Sequence, residues 1–414
     1  MNQVVVVEVE SLAPGGDAAG RQPDGRVVFV PLAAPGERAQ VQIVREKERV
    51  AWGELVAVER AGPDRVAPPC PLFGACGGCQ WQHVTLAAQQ QAKRTIVQRA
   101  LAAPGAGVAV EPVVAASPPF GYRDRAKAGV GQGAAPRPVG FRARRSHDVV
   151  DVPSCPLFSR ALDAAWPAVR ALAAHLPAGA EIDLQAGAEG VQVNVAQVDA
   201  TGAAVARRDS DRLRSAGVAG FSVGGKLVWG VAEVDVSEAG GPPLRVPAGG
   251  FAQVGRAGNR HLVDLVLAAV GVNPGVVLEL YAGSGNFTRH LTAMATRVCA
   301  CERDPGAVAR GRRAAPRAEW SGPIPDLVAD VVVLDPPREG ADAPNLAAAM
   351  RARRRIVYVS CDPQTLSRDA RRIAAAGFRL TRALAVDLMP QTFHVEVVAI
   401  FDRTPAAAGA AEPA

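Results

Sequence analysis

The chain has 414 residues, 49% of them hydrophobic, and a formal net charge of +6. Its size suits two or three domains with sizeable cores. No apolar run reaches the roughly 18 residues that a membrane helix needs. The start, MNQVVVVEVESLAPGG, lacks the basic stretch of a secretory signal, so a cytoplasmic protein that spans no membrane is expected.

Residues 3–60 read as all-β. VVVVEVE, RVVFVPL, AQVQIVR and WGELVAVE are short Val-rich runs separated by Gly, Pro and Asp turns, a spacing that suits a small barrel. Residues 61–84 hold three cysteines among Pro and Gly, and LAAQQQAKRTIVQRALA (86–102) has helical apolar spacing. Residues 105–250 are mixed, with a helix expected over 158–175 and strands at VQVNVAQV and KLVWGVAEVDV.

From about Gly258 the pattern alternates. NRHLVDLVLAAVG and NFTRHLTAMA read as helices; VVLELYAG, TRVCACERD, DVVVLDPP and RRIVYVSCDP read as strands. Such alternation implies a doubly wound, mostly parallel sheet. The tail, TPAAAGAAEPA, is expected to be disordered.

Charge is uneven along the chain. Residues 1–60 carry seven Lys/Arg against nine Asp/Glu, whereas residues 120–147 carry seven against Asp124 alone. Residues 351–382 carry nine Arg against Asp362 and Asp369. Two basic stretches in an otherwise balanced chain point to a polyanionic partner.

Several short segments carry chemistry. VVLELYAGSGNFT sets Gly283 and Gly285 in a turn between a strand and a helix, where the backbone can approach a ligand closely. Glu302 ends the next strand, placed to accept hydrogen bonds from ribose hydroxyls. The full G-x-G-x-x-G spacing and a Walker lysine are both missing, which favours S-adenosylmethionine over NAD or ATP. Asp335, in VVVLDPPREG, ends a further strand on the side where such sheets bind ligands.

Cys361, in YVSCDP, stands at a strand tip with Arg353–Arg355 upstream and Arg368 downstream; positive neighbours would lower its pKa and make it a nucleophile. Cys299 and Cys301, mid-strand, read as small core hydrophobes. Glu396, in MPQTFHVEVVAIF, is a carboxylate among apolar residues, suited to a raised pKa and a general-base role. Cys70, Cys76 and Cys79 (CPLFGACGGC), with Cys155 in VPSCPLF, form a four-thiol set. Its spacing leaves an iron–sulfur cluster and a structural zinc both open.

Together these segments resemble the RNA uracil-5 methyltransferase family, in its iron–sulfur branch, over about residues 3–402. GGDAAGRQPDGRVVFVPLAAPGE is similar to a TRAM domain, a small RNA-binding barrel. The resemblance implies an α/β protein in four parts. They are a TRAM/OB-like barrel (1–62), a mixed α+β central domain with the cysteines and an RNA-binding surface (63–250), a Rossmann-like methyltransferase domain (251–404) and the tail (405–414).

It further implies a 4Fe–4S cluster on Cys70, Cys76, Cys79 and Cys155; a structural role is expected for it, because none of the four sits in a catalytic motif. Cofactor contacts would come from Gln253 (in GGFAQV), Tyr281, Gly283, Asn286, Glu302 and Asp335, with Phe251 near the target base. Cys361 would be the nucleophile and Glu396 the base. Carbon 5 of uracil is a poor nucleophile; adding a thiolate at carbon 6 makes an enolate that can take a methyl group, after which a base removes the carbon-5 proton. The stretch between Glu302 and Asp335 is shorter than the family pattern, leaving the adenine contact unassigned, with Ser321 the nearest candidate.

Phosphates would be held by Arg123, Arg125, Lys127, Arg142, Arg144 and Arg145. Large-subunit (23S) ribosomal RNA is the expected substrate, transfer RNA the alternative, and a monomer the expected state. Two other classes are an N-methyltransferase, disfavoured by Arg338 where a stacking aromatic would stand, and a non-catalytic iron–sulfur RNA-binding protein, disfavoured by the intact cofactor and nucleophile residues.

Overall fold

The computed structural model describes residues 3–22, 24–105, 107–196, 203–204, 207–238 and 240–404; the expected disordered tail, 405–414, lies outside them. The chain divides into two compact units: residues 1–96, 115–259 and 387–394, and residues 97–114, 260–386 and 395–414.

The first unit begins with β1 (Val4–Leu12), β2 (Ala18–Arg21), β3 (Val27–Val30), β4 (Arg38–Lys47) and β5 (Val50–Arg60), closed into a barrel in the order β1-β2-β3-β5-β4. Alternate residues point inward, so Val7, Val9, Val28, Val30, Ala39, Val41 and Ile43 form its core with Trp81 and Val84. The sequence pattern foresaw four of these strands. β2, Ala-Ala-Gly-Arg, has no β-branched residue and is strand only because its neighbours pair with it.

Helix α1 (Leu86–Leu101) passes from the first unit to the second, and β6 (Val114–Ala115) marks the return. Then come β7 (Arg125–Val130), β8 (Val139–Arg142), β9 (Val149–Asp151), α2 (Arg160–Ala173), β10 (Glu181–Gly187), β11 (Gly190–Ala196), α3 (Ser210–Ser215), β12 (Val218–Val223) and β13 (Lys226–Gly230). The strands form a seven-stranded sheet, β13-β12-β11-β10-β7-β8-β9. α2 buries Leu162, Ala165, Trp166 and Val169 in a core with Ile182, Leu184, Val191 and Val193 of this sheet. Residues 197 and 198, which end the VQVNVAQV run, lie outside the described ones. A two-stranded ribbon, β14 (Val234–Asp235) and β15 (Arg245–Val246), precedes α4 (Arg256–Val270), which enters the second unit.

The second unit carries β16 (Val276–Leu280), α5 (Thr288–Leu291), β17 (Arg297–Cys301), α6 (Pro305–Ala314), β18 (Glu319–Ser321) and β19 (Val331–Leu334). It continues with α7 (Ala343–Ala349), β20 (Arg355–Ser360), α8 (Pro363–Ala375), β21 (Phe378–Asp387) and β22 (Glu396–Arg403). The sheet order is β18-β17-β16-β19-β20-β22-β21-β6. From β18 to β20 the strands are parallel; β22 runs antiparallel to both β20 and β21. The chain winds outward from β16 in one direction through β17 and β18, then in the other through β19 and β20. The switch therefore falls between β16 and β19, where such sheets take ligands.

Two expectations shift in detail. The NFTRHLTAMA helix is only Thr288–Leu291, because Ala293 and Met294 donate to carbonyls three residues back and tighten the turn. The short stretch after Glu302 still folds as a helix and an edge strand, α6 and β18, and then reaches β19 through a loop.

Candidate active site

The site in the second unit is built from strand ends. Leu280 of β16 pairs with Leu334 of β19, so the glycine turn and Asp335 leave the sheet side by side. Ser360 of β20 pairs with Val397 of β22. One step further along this antiparallel pair brings Cys361 level with Glu396, although 35 positions separate them in the chain. Asp362 caps α8, accepting from Gln364 N (2.8 Å) and Thr365 N (3.1 Å), and Pro363 opens the helix. Cys361 thus sits just before a helix N-terminus.

Burial dominates the electrostatics. The Cys361 thiol is half-buried and pushed up to about 11, by desolvation first, then by Glu396 and Asp335, with Arg338 pulling the other way. Glu396, 5% exposed, is raised well above the usual carboxyl range by desolvation and by Asp335, again opposed by Arg338. Desolvation raises Asp335 to about 7. Glu279, 2% exposed in mid-β16, is raised to about 8 by burial and then by Asp335, while a 2.6 Å hydrogen bond from Thr288 Oγ1 works against the rise.

These groups correct one expectation: arginines near Cys361 in sequence do not activate it. Arg353 pairs with Asp330, Arg354 donates to Pro274 O, Arg355 pairs with Asp402, and Arg368 pairs with Asp369. The cation that favours the thiolate is Arg338, in the Asp335-Pro-Pro-Arg turn. Gly340 closes that turn with φ +83°, and an added Cβ there would meet Arg368 and Asp369 within 3 Å. Glu279 was missed from sequence, although an acid inside an otherwise apolar strand is a visible signal, and Arg338 was noted only for standing where an aromatic would stack, not for its effect on the thiol.

The glycine turn leaves β16 through Tyr281, whose φ of +60° is unusual for a bulky residue. Its hydroxyl accepts from Asp342 N at 3.0 Å. Glu302 accepts from Gly283 N (2.9 Å) and Asp304 N (2.9 Å), so one carboxylate ties the turn to the end of β17. Asn286 is half-buried and accepts from Arg289 Nε through its main-chain oxygen. The Trp320 ring of β18 packs beneath the turn, 3.4 Å from where a Gly285 Cβ would lie. Ser321 donates its hydroxyl to Pro323 O at 2.6 Å. Cys299 and Cys301 are buried core residues, as expected.

The first unit holds the remaining candidates. Gln253 is half-buried in the loop before α4. Phe251 is 65% exposed, with the Arg125 guanidinium 5.8 Å from its ring centre. A cleft of about 1050 Å³ is lined by Gly77, Gly78, Arg123, Lys127, Arg142 and His147, among others. Its cations are partly neutralised: Lys127 and Arg142 face Glu181, and Arg144 and Arg145 both hold Asp17.

The four cysteines of the cluster segment are free and half-buried. Burial raises Cys76 and Cys155 and takes Cys79 to about 12. Each of these three is also affected by at least one other thiol of the set, and Arg123 lowers all three. The set is therefore gathered in space, although among the described residues no three His, Cys, Asp or Glu groups converge closely enough to hold a metal. Free thiols are donors of the kind an iron–sulfur cluster takes, and three of the four lie beside Arg123.

Comparison with known proteins gives the family and the fold. Residues 1–56 match the TRAM domain and residues 323–404 match the tRNA (Uracil-5-)-methyltransferase family. The chain is similar to the 23S rRNA (uracil(1939)-C(5))-methyltransferase RlmD of Edwardsiella ictaluri, with 33% identity covering 97% of this chain and 96% of that one. The chain belongs to the RNA uracil-C5 methyltransferase family. The RlmD of Alkalilimnicola ehrlichii is 35% identical, with 92% of each chain covered. The Pyrococcus abyssi tRNA (uracil-54, C5)-methyltransferase, solved with S-adenosyl-L-homocysteine, shares the fold at a TM-score of 0.76. It is 23% identical, covering 96% of this chain and 99% of that one. The TRAM barrel and the methyltransferase sheet expected from sequence are thus both present. No helix among the described residues is long and apolar enough to cross a membrane.

Proposed function

We propose that this methyltransferase transfers a methyl group from S-adenosylmethionine to carbon 5 of a uridine in RNA, with 23S ribosomal RNA as its substrate. The observation that carries the reading is the register that sets Cys361 opposite Glu396, beside Asp335. The Cys361 thiol, deprotonated, adds to carbon 6 of the uracil. The enolate so formed would attack the sulfonium methyl through carbon 5, the S–CH3 bond breaking and the donor leaving as its neutral thioether. Glu396 then takes the carbon-5 proton, the 5,6 double bond returns, and the thiolate leaves. The raised pKa of Glu396 suits a base that must keep the proton it takes.

Tyr281, Gly283, Asn286, Glu302 and Asp335 would hold the donor, with Gln253 a further contact. The free faces of Glu302 suit ribose hydroxyls. Residues 1–62 and the basic face of residues 63–250 would grip RNA, and residues 251–404 would carry the chemistry. The target base must be flipped out or lie in a loop. Cys70, Cys76, Cys79 and Cys155 would bind a 4Fe–4S cluster that stiffens their segment. The names of the RlmD relatives favour ribosomal RNA over transfer RNA. A cytoplasmic monomer is the proposed working form.

The test is to incubate the protein with unmodified RNA and labelled S-adenosylmethionine and to map 5-methyluridine by mass spectrometry. One labelled uridine in 23S RNA, lost in Cys361→Ala, is expected. Absence of 5-methyluridine with cluster-loaded protein would reject the reaction, and label in transfer RNA alone would reject the substrate.

A further inference from the structure

Within the second unit, strand ends hold Cys361 and Glu396, whereas Arg338 stands in the loop 335–342, beyond Leu334, the last paired residue of β19. Leu334 pairs with Tyr358, so this loop leaves the sheet beside the end of β20, which leads into Cys361. Arg338 is exposed, and where its guanidinium sits depends on how the loop backbone is held. A charged group serves a reaction only when its support is fixed.

That support comes from a buried carboxylate. Asp369, in the middle of α8, is 0% exposed. Its Oδ2 accepts from Ala341 N at 2.9 Å and from the Tyr358 hydroxyl at 2.8 Å, and its Oδ1 accepts from Arg368 Nε at 2.9 Å. Arg368 also donates to Glu339 O at 2.8 Å. Gly340 N donates to Pro337 O at 2.8 Å and closes the turn around Arg338. The backbone on both sides of Gly340 is thus tied to α8.

Burying a carboxylate is costly unless donors replace its water. Packing α8 on the sheet does not require one, because Leu366, Ala370 and Ile373 already bury the apolar face of the helix. Gly340 points the same way: the turn passes so close to Arg368 and Asp369 that a side chain there would strike them.

We propose that Asp369, with Tyr358 and Arg368, is a positioning residue for Arg338: it pins the backbone from Glu339 to Ala341 and so keeps the guanidinium beside Cys361. The inference rests on the uracil-5 reading, in which Cys361 is the nucleophile. Every group in it belongs to the same compact unit.

Released from Asp369, the turn lets Arg338 swing into water, and Cys361 loses the cation that favours its thiolate. Losing that help cuts the thiolate about threefold, and the greater basicity of what remains returns part of it, leaving alkylation about twofold slower. A site that is merely loosened behaves in the opposite way. Water reaches the thiol, desolvation falls and alkylation quickens.

The experiment uses the full chain without RNA and follows iodoacetamide alkylation of Cys361 at pH 8 by peptide-resolved mass spectrometry. The parent is compared with Asp369→Asn, Tyr358→Phe, Arg338→Ala and the two double variants with Arg338→Ala. Tyr358→Phe removes one hydroxyl from a buried ring, so it provides a folded variant if Asp369→Asn does not fold. The expected result is alkylation about twofold slower in each brace variant, with no further slowing on the Arg338→Ala background. Faster alkylation, no change in the folded variants, or an equal effect with and without Arg338 would overturn the brace and leave the uracil-5 reading intact. In parallel, parent and variants meet RNA carrying 5-fluorouridine, which has no carbon-5 proton to lose and so traps the adduct; the parent should form it, and the variants more slowly. No adduct from the parent would overturn the uracil-5 reading, whatever the alkylation rates show.

Discussion

Glu396→Gln should make Cys361 more reactive in the RNA-free protein while abolishing turnover. The thiol is pushed to about 11, with Glu396 the largest charged contributor. At pH 8 about one thiol in a thousand is then ionised, against roughly a quarter for an ordinary cysteine. The more basic thiolate is intrinsically more nucleophilic, which restores about tenfold. Alkylation of Cys361 by iodoacetamide should therefore run about twentyfold slower than that of a free cysteine at pH 8 and rise steadily to about pH 10.

Removing the Glu396 charge lowers the thiol pKa, and each unit multiplies the thiolate by about ten. Arg338→Ala works in the opposite direction and should slow alkylation. Because the chain has seven cysteines, the assay needs peptide-resolved mass spectrometry. A plateau below pH 9 in the parent, or slower alkylation in Glu396→Gln, would refute the electrostatic account.

The same geometry carries other expectations. Glu279 has a folded pKa of about 8 against an ordinary 4.5, so the stability tied to its proton is complete below about pH 4.5 and drains away as pH rises towards 8. Glu279→Gln should accordingly stabilise the protein at pH 8, by up to about 5 kcal/mol, and change little at pH 4; equal denaturant midpoint shifts at both would contradict this. Lys127→Ala and Arg142→Ala should each flatten the salt dependence of RNA binding by about one phosphate contact, a change of roughly 0.7–0.9 in the log–log slope. An unchanged slope would move the RNA path elsewhere. Cys76→Ala should lower iron content and thermal stability together, whereas normal stability after iron loss would refute a structural role for the cluster.

Much of the fold and site is legible in the sequence, for identifiable reasons. Alternation of Val with polar residues marks the barrel, and a Gly turn after an apolar strand marks the candidate cofactor loop. The candidates Cys361 and Glu396 stand out because each ends or begins an apolar strand. Their alignment depends on β20–β22 register, which no local pattern encodes. The error over Arg353–Arg355 and Arg368 has the same origin: closeness in sequence is not closeness in space, and each has a nearer partner. The nine-arginine stretch likewise owes much to internal pairing, including Arg351 with Asp326 and Arg382 with Glu111. The Asp369 brace is invisible in the sequence because the backbone it holds, at Ala341, lies 28 residues away.

The central claim is that Cys361 forms a covalent bond to the target uridine. The most direct test is to incubate the protein with S-adenosylmethionine and 5-fluorouridine RNA, digest the product, and sequence the peptide that retains a nucleotide. The account predicts a single adduct on Cys361, absent in Cys361→Ala. An adduct on another cysteine, or methylated RNA formed at full rate by Cys361→Ala, would contradict it.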